Sequence, residues 1–128
     1  MSEPVVFISH FKVKEGKLED LKRLAGEVER SLREDMPRTV VWLVYLDEDG
    51  AKATFVHCFP DAESRDLHFV GADERTAAAY EFMDPEGFEI YGSPSDRVME
   101  AMQEAASAGT SLIVLPEHLG GFLRLQSA

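Results

Sequence analysis

Apolar residues first recur at every second position. From Pro4 to Lys14, Val5, Phe7, Phe11 and Val13 alternate with Val6, Ile8, His10 and Lys12, a period that predicts a β-strand with bulky groups on both faces. After Glu15-Gly16 the period lengthens. Leu18, Leu21, Ala25, Val28 and Leu32 recur at steps of three and four, the stripe of an amphipathic helix whose other side is charged. Pro37 is expected to end it. Thr39–Asp47 (TVVWLVYLD) is rich in β-branched and aromatic residues and predicts a second strand. Asp49-Gly50 predicts a two-residue hairpin turn, and Lys52–Phe59 (KATFVHCF) the returning strand. If Glu48 pairs with Ala51, Trp42 lies opposite His57, Val44 opposite Phe55 and Val40 opposite Phe59. One face then holds Val40, Trp42, Val44, Leu46, Ala53, Phe55, His57 and Phe59, and the other Val41, Leu43, Tyr45, Thr54, Val56 and Cys58.

Asp61 is the expected N-cap of a second helix running from Ala62 to about Met83 with a break at Gly71. Phe88–Tyr91 reads as a short fourth strand. Ser93-Pro94-Ser95-Asp96 has the spacing of a capping box with Pro94 at the first helical position, and predicts a third helix to about Ser107. Thr110–Leu115 is a fifth strand stopped by Pro116, and Phe122–Leu125 a sixth. The first six elements follow the order of a ferredoxin-like βαββαβ sandwich, an α+β fold with helices on one side of an antiparallel sheet. The expected organisation is one domain over residues 1–128, with a core at 4–92 and a helix-and-strand extension at 93–128. Two central helices can cover one sheet face only. The second face is too apolar for water, and another copy of the chain is the simplest cover, so a homodimer is expected.

Composition narrows the functions. The chain has 128 residues, 45% hydrophobic and 29% charged, as globular domains do. Its 13 Lys and Arg against 24 Asp and Glu leave a net charge of -11, which argues against nucleic acid and anionic membrane surfaces as partners. One cysteine, Cys58, permits no intrachain disulfide and no Cys-x-x-Cys pair, and is expected on the partner-facing side of the sheet as a small hydrophobe. His10 and His118 stand alone in the sequence without a second ligand at metal spacing, so no metal is expected. The start MSEPVVFISHFKVKEG has no basic n-region with an apolar core, and no apolar run approaches about 18 residues. A cytoplasmic location is expected.

The first strand running into Lys14-Glu15-Gly16-Lys17 and its helix, followed by FVHCFPDAESRDLHF, resembles the antibiotic biosynthesis monooxygenase family across residues 4 to 92. In that family an aromatic ends the third strand and a histidine follows nine positions later; the matching residues are Phe59 and His68. The resemblance implies a dimeric α+β barrel with a cavity between the second helix and the sheet. It also implies oxidation of anthrones or quinols without metal or cofactor. Other members degrade haem with an Asn, Trp and His set, but Ser9 and Phe59 stand where the Asn and Trp would be, so the resemblance does not extend to haem.

His68 is the first candidate catalytic residue, since an imidazole can take a proton from a phenol or activated methylene near neutral pH; the other reading is a solvated helix histidine. His57, the ionisable member of an apolar face, is either its helper or a satisfied core residue. Ser9, Trp42, Phe55 and Phe59 are candidate substrate-binding residues. Each also has a plain structural reading: a strand hydroxyl bonded to the backbone, or core packing. The resulting expectation is a cofactor-independent monooxygenase acting on a small quinol- or anthrone-like aromatic. The alternative is a non-catalytic dimeric ligand-binding or stress-response module on the same fold.

Overall fold

The computed structural model describes residues 3–36, 38–61, 63–64 and 77–124, built around one five-stranded sheet. Its strands are β1 (Val5–Val13), β2 (Val41–Leu46), β3 (Lys52–Phe59), β4 (Met83–Tyr91) and β5 (Ser111–Leu115), in the order β2-β3-β1-β4-β5. All neighbours are antiparallel except β4 and β5, which are parallel. Helix α1 (Leu18–Asp35) follows β1, residues 77–80 are helical ahead of β4, and α2 (Asp96–Ser107) is the crossover that parallel neighbours require. The first four strands have the ferredoxin-like arrangement, and the extension adds one strand at the β4 edge. The fold class is the expected α+β one. Among the described residues no helix is long and apolar enough to cross a membrane.

Period-two alternation fixes the register of the central strands. Trp42 lies opposite His57 and Val44 opposite Phe55, as expected, while Val40 sits just before the ladder and donates its N–H to the Cys58 carbonyl at 3.0 Å. The turn differs from the expectation. Gly50 N–H donates to the Asp47 carbonyl, Gly50 has φ +69° and no other residue has positive φ in the turn, which excludes the type I′ form. Asp47 instead accepts Ala51 and Lys52 N–H on its carboxylate, at 2.9 and 3.2 Å. A side chain at Gly50 would meet both this left-handed backbone and Leu18, whose Cδ2 lies 2.6 Å from the Cβ position.

Three expectations need correction. Residues 81–82 form a turn and β4 begins at Met83, so the helix ends earlier and the fourth strand is longer than Phe88–Tyr91. Asp84-Pro85-Glu86-Gly87, which the sequence assigns to no element, forms strand because the ladder slips between His10 and Phe11, a bulge that accommodates Pro85. The α2 cap is Ser95, not Ser93: Ser95 accepts Val98 N–H at 3.4 Å, while Ser93 donates to the Pro116 carbonyl. Pro94 therefore precedes the helix. Residues 122–124 form no strand, and Phe122 is 78% exposed. The expected positions Pro37, Gly71 and Leu125 lie outside the described residues.

The helical side chains of the two core clusters meet one sheet face. Leu21 of α1 joins Phe11, Val13, Ala53, Met83 and Phe88 in one cluster. Val98 of α2 joins Val5, Phe7 and Ile90 in a second. Between them these clusters bury the odd-numbered positions of β1. At the end of β3 the carboxylate of Asp61 accepts Ser64 N–H and Ser64 Oγ–H, both at 2.7 Å, and the Arg38 guanidinium at 2.9 Å. Asp61 thus caps the helical residues 63–64 as expected. The two Ser64 hydrogen bonds, with Arg38 behind them, hold its carboxyl below the usual range.

Candidate functional site

The helix-covered face is an aromatic wall assembled by strand register. One row across the sheet reads Trp42, His57, Phe7, Ile90 and Val114; the next reads Val44, Phe55, Ser9, Phe88 and Leu112. Side chains two apart on β3 project the same way, so Phe55, His57 and Phe59 form a file of nearly parallel rings. Adjacent centroids are 6.5 and 6.3 Å apart, with planes within 12° and 9°. Trp42 stands edge-on to this file, 6.0 Å from Phe55 and 6.5 Å from His57. Five of the six expected site residues, Ser9, Trp42, Phe55, His57 and Phe59, therefore share one face. His68 lies outside the described residues.

Their burial separates them. Phe59 is 0% exposed and edge-on to Phe7 at 6.5 Å, so it belongs to the packed base of the wall. His57, Phe55 and Trp42 are half-buried and border whatever occupies the space above the β2–β3 side. Ser9 is 8% exposed, lies between Phe55 and Phe88 in the ladders, and its hydroxyl has no hydrogen-bond partner among the described residues. A buried hydroxyl without a partner carries a cost that a polar ligand atom could relieve. The strand-backbone bond considered for it does not form.

One aromatic of the wall escaped the sequence reading. Tyr80, the last helical residue before β4, packs against Phe11 at 6.1 Å, and burial pushes its phenol up. Lys14 Nζ donates to its carbonyl at 2.8 Å, tying this turn to the end of β1. The alanine-rich run before it gives no period-two or stripe signal that would place a tyrosine over the sheet.

The opposite face differs. Leu43, Ile113 and Leu115 are 45, 51 and 53% exposed there, and Cys58 is buried on it with its thiol pushed up by desolvation. His10, solitary in the sequence, is bonded on this face to Glu89, seventy-nine residues away. No group of three or more potential metal ligands occurs among the described residues.

Comparison with family models gives no match, nor does comparison with the sequences of curated proteins. Solved structures do match. MupZ from Pseudomonas fluorescens is similar with a TM-score of 0.70 at 16% identity, over 94% of this chain and 91% of that one. SnoaB from Streptomyces nogalater, named a cofactor-independent oxygenase, matches with a TM-score of 0.59 at 14% identity, over 73% of this chain and 96% of that one. A candidate antibiotic biosynthesis monooxygenase from Caulobacter crescentus matches with a TM-score of 0.61 at 12% identity, over 70% of this chain and 88% of that one. Sheet order, register and these likenesses agree: the chain has the fold of the antibiotic biosynthesis monooxygenases.

Proposed function

We propose that the protein is a cofactor-independent monooxygenase that oxidises a small, electron-rich aromatic of the quinol or anthrone type on the helix-covered face. The observation that carries this reading is the half-buried His57, set in a file of parallel rings beside Trp42. A flat substrate would lie against Trp42 and Phe55 over the base formed by Phe59, with one oxygen hydrogen-bonded to Ser9. His68, helped by His57, removes a proton from the phenol or activated methylene. The resulting anion gives one electron to dioxygen, the two radicals combine, the peroxide anion takes back the proton from the histidine, and the hydroperoxide loses water. The balance is CH₂ + O₂ → C=O + H₂O, a four-electron oxidation in which dioxygen accepts all four electrons. The protein orients the ring, excludes water and supplies the base, a contribution worth about 10² to 10⁴ in rate.

We also propose that two copies pair through the uncovered face. Five strands about 4.8 Å apart, each offering about six residues at 3.3 Å, give a patch of about 500 Å² in plan. With side-chain relief this approaches the roughly 800 Å² per partner of a stable interface. Its charges nearly cancel, Lys12 and Lys52 against Asp84 and Glu89, in a chain of net charge -11. Two copies would therefore meet with little charge repulsion at the seam.

The test of the catalytic reading is oxygen consumption by the full chain with a panel of hydroquinones, naphthols and anthrones, for wild type, His57→Ala and His68→Ala. Turnover of at least one substrate that drops far more than binding in His68→Ala is the expected result. Undiminished activity in both histidine variants overturns the proton-transfer scheme. Tight binding without turnover across the panel points instead to a ligand-binding module.

A further inference from the structure

The uncovered face carries a hydrogen-bonded chain that the proposed oxidation does not use. Thr54 Oγ1 lies 3.2 Å from His10 Nδ1, His10 Nε2 is bonded to Glu89 Oε2, and Tyr91 O–H donates to the other oxygen of the same carboxylate. It crosses three adjacent strands: His10 pairs with Thr54 across β1–β3, and Glu89 sits one step along on β4. A carboxylate only accepts, so Nε2 carries a proton and Nδ1 of the neutral ring accepts from Thr54. When the ring is protonated, Nδ1–H donates and the threonine hydroxyl turns to accept. The chain is thus satisfied in either protonation state.

Its surroundings are apolar. Ile8 and Val56 are half-buried beside it, and Leu43 and Ile113 are 45 and 51% exposed in the same row. The His10 and Glu89 side chains are themselves 42 and 24% exposed. The bonds from His10 and then Tyr91 hold the Glu89 carboxyl below its ordinary range, and the same carboxylate pushes the Tyr91 phenol up. The other titratable groups of the described strands on this face are Lys12 on the same strand, Lys52 and the buried Cys58 on β3, Tyr45 on β2, and Asp84 opposite Lys12 on β4. The described helical side chains of the core pack on the other face.

We infer that pairing of two copies through this face is coupled to protonation of His10, each protomer taking up one proton as the face is sealed. This rests on the pairing proposed above. An apolar partner strips water from Glu89. With a neutral imidazole, the Glu89 carboxylate is sealed in with no cation bonded to it; with His10 protonated, it becomes half of a hydrogen-bonded ion pair. Burying the lone charge is the costlier state, and imidazole is the side chain whose charge changes near neutral pH. Because the paired state holds more protons, its association constant rises as pH falls, by up to about tenfold per pH unit for each proton taken up. Glu89 sets the sign of the effect and His10 supplies the proton.

The experiment is sedimentation equilibrium of the full chain at pH 6.0, 7.0 and 8.5 at constant ionic strength, with far-UV circular dichroism on each variant. Where pairing is too tight for dilution, the urea midpoint of dissociation is read instead. The wild-type dissociation constant is expected to fall at least about tenfold from pH 8.5 to pH 6.0. His10→Gln, which keeps polar contacts but cannot take the proton, should vary less than about twofold. Glu89→Gln should reverse the sign, pairing more tightly at pH 8.5, because a proton on His10 would then bring into the seam a charge with no carboxylate bonded to it. A wild-type constant that stays within about twofold, or a wild-type slope retained in Glu89→Gln, overturns the proton coupling while leaving pairing intact. A chain that is monomeric at every pH overturns the pairing itself, and the coupling with it.

Discussion

Replacing Phe59 by alanine tests how far the packed base of the aromatic wall stabilises the fold. The ring is fully buried, edge-on to Phe7 at 6.5 Å and parallel to His57 at 6.3 Å. Two strands, β1 and β3, meet at its position, where Val5 is its ladder partner and is itself 1% exposed. A site so hemmed in collapses poorly around a void, so the cost should fall within the usual range for a buried phenylalanine truncated to alanine, about 4 kcal/mol. With an unfolding entropy of about 2.1 cal/mol/K for each of the 128 residues, that loss lowers the melting temperature by about 15 °C. Phe59→Leu refills much of the space and should cost about a third as much. The assay is urea and thermal unfolding followed by the fluorescence of Trp42, the one tryptophan of the chain, 6.5 Å from His57. The urea slope should stay unchanged, since the surface exposed on unfolding is nearly the same. A melting temperature within about 3 °C of wild type, equivalent to less than 1 kcal/mol, would refute the packing argument.

Leu43→Asp sets a charge on the uncovered face, midway along its edge strand β2, where Leu43 is 45% exposed, and should leave a 14.3 kDa monomer by light scattering at concentrations where the wild type pairs. Asp61→Asn should lower stability at neutral pH. Because the folded carboxyl is held below its unfolded range by Ser64 and Arg38, the difference from wild type is full above about pH 5 and shrinks as pH falls through the folded value, as paired urea titrations will show. Ser95→Ala removes the α2 cap, a long 3.4 Å bond, and should cost about 0.5–1 kcal/mol, visible as a melting temperature lower by a few degrees.

The parts of the fold that were legible are those in which a residue's neighbours repeat. Period two along β2 and β3 was enough to put Trp42, Phe55, His57 and Phe59 on one face, because register follows once a single turn is located; Ser9 joins them through the β1–β3 ladder, which no turn in the sequence aligns. The turn itself was misread in type, yet Asp47 and Gly50 close the hairpin without shifting that register. At Ser93-Pro94-Ser95 the local signals were degenerate: either serine can cap, and the choice fell to Ser95 once Ser93 found the Pro116 carbonyl. Asp84–Gly87 was missed for another reason, since its Asp, Pro and Gly give no strand signal and only pairing with β1 across a bulge makes it strand. The His10 chain was invisible in the sequence for a plain reason: its carboxylate lies seventy-nine residues downstream and is delivered only by the β1–β4 ladder.

The α2–β5 unit bears on how the chain folds. Strands β1 to β4 already complete a ferredoxin-like sheet, and β5 touches that sheet only through β4. Its approach depends on Gly87, where a Cβ would sit 2.5 Å from Ser111 Oγ. Yet Val98 of α2 lies in the same cluster as Val5, Phe7 and Ile90, which are 1, 4 and 0% exposed. The last third of the sequence therefore closes a core whose other walls come from its first residues, a contact of high sequence separation that slows folding. Until α2 docks, the nascent chain presents Phe7 and Ile90 to water along with an open β4 edge. The vulnerable interval of this protein thus falls late in folding, when a nearly finished sheet lacks its final cover.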